Sequence, residues 1–172
     1  GERGDRVILD DPHNVKEAES EIIRAETVRW FRESMSNRLN DMDTGAIIII
    51  MQRLHEDDVS GVVLEKGMAY VRLMVPMVYD YERQTDEEFN PIMTQIGWYD
   101  PRYEQYEPND ATDILAWPER FPLRVWEAIQ LDIGPYAVSG QYGQSPTPRG
   151  GGIFKREWWQ LWEAPDGKFP VF

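Results

Sequence analysis

The stretch Ala46-Ile-Ile-Ile-Ile-Met51 decides the fold class, because an apolar run without alternation is typical of a strand buried on both faces. A shorter run, Arg6-Val-Ile-Leu-Asp10, predicts a second buried strand. Ala69-Tyr-Val-Arg-Leu-Met-Val75, stopped by Pro76, predicts a third. Strands buried on both faces belong to parallel sheets covered by helices. The pattern therefore predicts an α/β fold.

Helical patterns separate these strands. Asn14 and Glu17 have the spacing of a capping box, which predicts a helix from Asn14 to about residue 39. Asp57 or Asp58 is expected to cap a shorter helix, Val59–Glu65. Because three strands make a small sheet, further strands are expected upstream of the first residue.

The second half of the sequence has a different character. Residues 77–116 are acidic, rich in tyrosine and proline, and without clear periodicity, which predicts an irregular insertion or linker. A helix is expected over Pro122–Asp132, with Gly134 in its C′ position, and another over Pro135–Tyr142. We therefore divide the chain into residues 1–76 and a partly helical linker subdomain, residues 77–172.

Composition limits the possible functions. The 172 residues include no cysteine, which excludes disulfides, thiolate zinc sites and cysteine nucleophiles. The sequence contains no run of eighteen apolar residues, so it predicts no transmembrane helix. The net charge of −13 argues against a surface that is basic throughout, as nucleic-acid footprints are. A local basic face remains possible on the first helix, which carries Arg24, Arg29, Arg32 and Arg38.

Two polar clusters follow predicted strands. Asp10 and Asp11 end the first strand, and Gln52 to Asp58 follow the second. Because the carboxyl ends of parallel strands lie at one edge of a sheet, the two clusters are expected to lie side by side. A strand that ends in two acids is the arrangement in which P-loop ATPases hold Mg²⁺ and position the attacking water. On spacing alone, however, a helix-capping or turn role is the default for Asp10 and Asp11, and a solvated loop with Asp57 as N-cap is the alternative for the second cluster.

The same clusters permit a second class of enzyme. Asp10, Asp11 and His13, together with His55, Asp57 and Asp58, contain the ligands that a divalent-metal-dependent hydrolase needs. A third possibility, base stacking on single-stranded nucleic acid, is weak because aromatic residues at this density are more often core. The tryptophans concerned are Trp117, Trp126, Trp158, Trp159 and Trp162.

Five segments carry a resemblance to one family. They are Gly4-Asp-Arg-Val-Ile-Leu-Asp-Asp-Pro-His13; Asn37-Arg38-Leu39 with Thr44-Gly45; Gln52-Arg-Leu-His-Glu-Asp-Asp-Val-Ser-Gly61; Trp117-Pro-Glu-Arg-Phe121; and Gln141-Tyr-Gly-Gln144 with Gly152-Ile-Phe-Lys155. In this order they resemble blocks of the large subunits of tailed-phage terminases, the first being the Walker B segment. The resemblance covers roughly residues 1–76 and 115–160.

The resemblance implies roles for particular residues. Asp10 matches the Walker B acid, which coordinates Mg²⁺ through water, and Asp11 stands where many terminases place a catalytic glutamate. Gln52 and Arg53 fall on the coupling segment, which senses the γ-phosphate of ATP; family members often have threonine at the position of Gln52. Arg53 or Arg38 could stabilise charge within or between subunits, and a structural ion pair is an equal alternative for each.

The resemblance also implies a fold, an activity and partners. The expected fold is part of a P-loop-type sheet, and the expected activity is ATP hydrolysis that drives double-stranded DNA into a procapsid, in the cytoplasm of a bacterial host. Expected partners are the portal protein, the small terminase subunit and other large-subunit copies in a ring, with no membrane. The sequence contains no Gly-x-x-x-x-Gly-Lys-Ser/Thr loop. It is therefore expected to be a fragment that precedes a nuclease domain and is inactive alone; a non-catalytic docking module is the alternative.

Overall fold

The computed structural model describes residues 3–110 and 112–147. Its centre is a parallel pair of strands, β1 (Arg6–Asp10) and β2 (Ala46–Ile50). The register places Arg6 opposite Ala46 and Asp10 opposite Ile50. Together with the helices described below, this pair makes the chain an α/β protein, so the predicted fold class is confirmed at that level.

One face of the sheet carries the core. Alternate strand residues pack against two helices, so that Leu9 contacts a buried cluster of Phe31, Met35, Val59 and Val63. The opposite face is open: the side chains of Ile8, Ile48 and Ile50 are 61%, 41% and 56% exposed. The prediction of strands buried on both faces is therefore wrong for the described residues, because both helices lie on the same side.

The predicted third strand does not form. Residues 69–75 are assigned no strand, and the described part of the chain contains only the β1–β2 sheet. Val71, Leu73 and Val75 are exposed. Strand propensity records how well a residue fits a pleated, half-buried surface, and this segment pairs with neither described strand.

The first long helix begins later than predicted. α1 spans Glu21–Ser34, and the side chain of Ser20 caps it by accepting from the amide of Ile23. Asn14 caps a turn instead, because its side chain accepts from the nearby amide of Lys16. After α1 the chain tightens into a 3₁₀ turn, Ser36–Arg38, which ends the helical region near the predicted residue.

The second helix forms as predicted. α2 spans Val59–Glu65, and of the two candidate capping residues it is Asp58 whose side chain accepts from the amide of Gly61. Val59 and Val63 point from this helix into the core beneath the sheet. The cap and the apolar spacing together explain why seven residues suffice for a stable element here.

Residues 77–116 are largely irregular, as expected. They contain one short helix, α3 (Tyr81–Gln84), and a 3₁₀ turn, Pro101–Gln105. An isolated antiparallel bridge pairs Val78 with Leu115 and closes the segment at its two ends. The segment nevertheless has a buried polar centre, in which Arg102 and Asp100 form an ion pair.

The two helices predicted after residue 121 are also present. α4 spans Leu123–Ala137 and is interrupted at Gly134, whose φ of 75° breaks the helix where a C′ glycine was predicted. The chain continues through Pro135 into a π-helical turn, Val138–Tyr142. This second half lies against the first, because the Tyr136 hydroxyl donates to the Glu19 carboxylate at 2.8 Å.

Some expectations fall outside the described residues. These are the glycine-rich loop at 150–152, the aromatic segment with Trp158, Trp159 and Trp162, and the Gly152–Lys155 block. Within the described residues, no helix is both long enough and apolar enough to cross a bilayer.

Candidate site at the carboxyl ends of the strands

The ends of the two strands are joined by direct hydrogen bonds. The backbone amide of Asp11 donates to the carbonyl of Ile50 at 2.8 Å. In the other direction, the backbone amide of Gln52 donates to Oδ1 of Asp11 at 3.1 Å. The prediction that the two polar clusters lie side by side is confirmed.

Asp11 has an unusual backbone conformation. Its φ is 42°, in the left-handed region that side chains other than glycine seldom adopt. Aspartate and asparagine tolerate this region better than most residues do. The turn therefore gives a local reason for a short acid at this position, and the bond from Gln52 fixes the direction of its carboxylate.

Asp10 is exposed at the same edge. Within residues 3–110 and 112–147, no side chain or amide donates a hydrogen bond to its carboxylate. Mg²⁺ keeps several of its waters and is typically held by one or two carboxylates. A free carboxylate at a strand end fits that requirement, so Asp10 could hold the ion through water.

Arg53 is held in a structural ion pair. Its Nε lies 2.9 Å from both carboxylate oxygens of Asp58, and its Nη2 donates to the carbonyls of His55 and Glu56 at 3.3 Å. The Asp58 side chain is fully buried, and the Arg53 side chain is 12% exposed. The geometry thus gives Arg53 the role of organising the loop after β2.

Two glycines allow other parts of the chain to approach this loop. A Cβ on Gly61 would lie 1.7 Å from the carbonyl oxygen of Glu56, and one on Gly140 would lie 2.6 Å from the carbonyl oxygen of Arg53. Neither backbone oxygen can move without disturbing the Arg53–Asp58 pair. The loop is therefore packed between α2 on one side and the π-helical turn on the other.

The structure does not assemble the metal site of the rival hydrolase. His13 Nε2 accepts a hydrogen bond from the Val59 amide at 3.0 Å, and His55 Nδ1 accepts from the Asp57 amide at 3.1 Å. Asp58 is engaged by Arg53. Among the residues that the structure describes, no group of three histidine or acidic side chains is placed to hold a metal ion.

Arg38 lies away from the strand ends. Its carbonyl accepts from the amide of Gly4, six residues before Asp10, which corresponds to about 20 Å along an extended strand. Arg38, Asp10, Trp30 and Ile8 are among the residues that line a cavity of about 540 Å³ beside β1. Arg38 is thus not brought to the Asp10–Asp11 edge by this part of the chain.

His13 makes the stability of the fold depend on pH. Burial lowers the pKa of His13 below its ordinary value, because charging the ring there costs solvation. The unfolded chain then binds a proton more readily than the folded one, so stability falls as the pH is lowered through about 6.5 toward the lowered folded pKa. We expect the urea midpoint to decrease between pH 7.5 and 5.5.

The matched substitutions are His13→Gln and His55→Gln. In the first, the decrease between pH 7.5 and 5.5 should shrink, because the group that takes up the proton on unfolding is gone. The second should leave most of the decrease in place. A decrease that is unchanged in His13→Gln would contradict the assignment of a neutral, buried imidazole at this position.

Two important residues were only partly found from sequence. Asp58 was predicted as a possible cap, yet it also accepts from the amides of Leu54 and His55 and neutralises Arg53. Arg102 lies in the segment that the sequence predicted as an irregular linker, and no pattern marked it as buried. The pairs Arg53/Asp58 and Asp100/Arg102 are close in sequence, but short spacing between opposite charges does not indicate burial.

No protein-family model matches the chain, and no curated protein matches it.

Proposed function

We propose that this chain is part of the motor ATPase of a tailed-phage terminase large subunit, an enzyme that hydrolyses ATP to move double-stranded DNA into a procapsid. The observation that carries the proposal is the hydrogen bond from the Gln52 amide to Asp11 Oδ1 at 3.1 Å, at the end of a parallel strand pair. The two segments that resemble Walker B and the coupling segment are therefore in contact.

The contact is what a motor of this class requires. In ATPases of this class a polar residue orients the attacking water beside the γ-phosphate, and the resemblance assigns the sensing of that phosphate to the coupling segment. Here the link is a single bond between Asp11 and the residue that begins the coupling segment. The loop continues to Arg53, whose carbonyl lies against Gly140, so it connects the strand ends with the second half of the chain.

Each residue at the edge receives a limited role. Asp10 would hold Mg²⁺ through water, and the ion would supply positive charge that offsets the charge of the phosphates. Asp11 Oδ1 is occupied by the Gln52 amide, which leaves Oδ2 to accept a proton from an attacking water. Arg53 fixes the loop through Asp58, and in this proposal it is a positioning residue.

ATP itself requires residues that this sequence does not contain. A Gly-x-x-x-x-Gly-Lys-Ser/Thr loop, which cradles the phosphates with backbone amides, is absent from the 172 residues. Phosphoryl transfer depends almost wholly on positioning and electrostatic stabilisation. The 172-residue chain alone is therefore expected to hydrolyse no ATP, and the proposal has to be tested on a longer protein in which such a loop accompanies these residues.

The test is DNA-stimulated ATP hydrolysis by that longer protein. We expect Asp10→Asn and Asp11→Asn each to reduce the DNA-stimulated rate by at least about a hundredfold, because one loses a metal ligand and the other the proton acceptor. Asp43→Asn, at an exposed acid in the turn before β2, is the matched control and should retain the rate of the unsubstituted protein.

Two results would contradict the proposal. One is a longer protein that carries the loop and binds no nucleotide. The other is a rate that is unaffected by Asp10→Asn and Asp11→Asn although circular dichroism shows an intact fold. In either case the acidic pair would be an ordinary strand end.

A further inference from the structure

A groove on the second half of the chain is separate from the strand-end site. It is a cavity of about 520 Å³ that lies between residues 76–82, α4 and the π-helical turn. We call it the tyrosine groove, because aromatic rings form most of its wall. The aromatic residues in the lining are Tyr79, Tyr81, Tyr106, Trp126 and Tyr142.

The charge of the tyrosine groove has one sign. Three carboxylates line it, from Asp80, Glu82 and Asp113, and its lining contains no lysine or arginine. Asp80 is neutralised by Arg83 at 3.2 Å. Glu82 and Asp113 are exposed and form no ion pair with any residue that the structure describes. The field in the groove therefore favours a cationic occupant and repels phosphate.

Two buried polar atoms in the wall lack partners. The hydroxyl of Tyr79 and the indole Nε1 of Trp126 are buried and make no hydrogen bond, in residues that are 7% and 2% exposed. Buried polar groups are nearly always paired, so two unpaired atoms in one wall indicate a missing partner. The indole nitrogen needs an acceptor, and the hydroxyl can donate or accept.

The lining of the tyrosine groove also contains aromatic rings, whose faces attract cations. Tyr81 and Tyr106 stack with centroids 4.0 Å apart and planes 13° from parallel. The protein already uses this chemistry internally, since the guanidinium of Arg102 lies 5.5 Å from the centre of the Tyr79 ring. A guanidinium is planar and weakly hydrated, so it stacks on aromatic faces more readily than an ammonium does.

We propose that the tyrosine groove binds an arginine-containing, basic peptide segment of a partner protein. The guanidinium meets the tyrosine faces and the carboxylates of Glu82 and Asp113. This docking surface is independent of ATP hydrolysis and does not require the proposed motor function.

The test uses a fluorescein-labelled peptide of alternating arginine and glycine, about twelve residues long, and fluorescence anisotropy with the 172-residue chain. We expect saturable binding that weakens by about tenfold in the double variant Glu82→Gln/Asp113→Asn. The matched control is Asp43→Asn/Glu65→Gln, which removes the same charge from exposed sites elsewhere and should change binding by less than about twofold. A lysine version of the peptide should bind several-fold more weakly.

Three results would overturn the proposal. Equal weakening in the two double variants would mean that only net charge attracts the peptide. Equal binding of the arginine and lysine peptides would show that the groove does not recognise the guanidinium group. Tighter binding of a single-stranded oligonucleotide than of the arginine peptide would assign the rings to base stacking. Circular dichroism of each variant establishes that the fold is retained.

Discussion

Asp58→Ala is expected to lower the free energy of unfolding by about 3–5 kcal/mol. The Asp58 carboxylate is fully buried and accepts hydrogen bonds from Arg53 Nε and from the amides of Leu54, His55 and Gly61. Its loss leaves a buried guanidinium without a counter-ion and removes the cap of α2. Urea unfolding followed by tryptophan fluorescence measures the change.

Asp57→Ala is the natural control for this substitution. Asp57 is the adjacent acid, but its side chain is 67% exposed and its contact with Arg24 is 3.8 Å long. Exposed ion pairs contribute little, so the expected loss is below about 1 kcal/mol. Similar losses in the two variants would show that the loop after β2 is not organised around Asp58.

Arg102→Ala is expected to cost a similar amount, about 3–5 kcal/mol. The guanidinium of Arg102 bonds to the Asp100 carboxylate at 2.6–3.2 Å. It also donates to the carbonyls of Pro76, Met77 and Ile114. Without it, the buried Asp100 carboxylate loses its counter-ion and the Pro76 carbonyl loses its donor, in a segment that has few regular elements to replace them.

Arg102→Lys and Arg120→Ala complete this experiment. Lysine keeps the charge but cannot reproduce the planar fork, so an intermediate loss is expected. Arg120 is exposed and lies over the Trp117 ring at 5.2 Å, so its removal should cost less than about 1 kcal/mol. If Arg102→Ala behaved like Arg120→Ala, residues 77–116 would not be held by this ion pair.

The sequence could predict those elements whose signals are local. The apolar runs at 6–10 and 46–50 became strands, and Asp58 with the valines after it became a capped helix. Gly134 ended a helix because a glycine can adopt φ near 75° without steric cost. Each of these features depends on neighbours within a few residues.

Features that depend on distant partners could not be predicted in the same way. Residues 69–75 have the composition of a strand, but they pair with neither strand of the two-stranded sheet, and composition does not determine pairing. The start of α1 was decided between two competing caps, Asn14 and Ser20, and the Asn14 side chain was already used in a turn. Sequence spacing does not reveal which cap is free.

In the candidate site, too, some features could be predicted from the sequence and others could not. That Asp11 and Gln52 meet followed from the parallel-strand pattern alone, and the 3.1 Å bond bears this out. The engagement of Arg53 with a buried Asp58, and the separation of Arg38 from Asp10, required the three-dimensional arrangement. The sequence alone does not show whether a charged residue is buried in an ion pair or exposed to a ligand.

Because of the open isoleucine face of the sheet, the association of copies of this chain depends on ionic strength. Ile8, Ile48 and Ile50 offer an apolar surface to a second molecule, while a formal net charge of −13 makes two molecules repel each other. At 0.1 M salt this repulsion is screened beyond about 10 Å, whereas the apolar attraction is not weakened. Dilute buffer therefore keeps copies of the chain apart, and salt removes the barrier to their association.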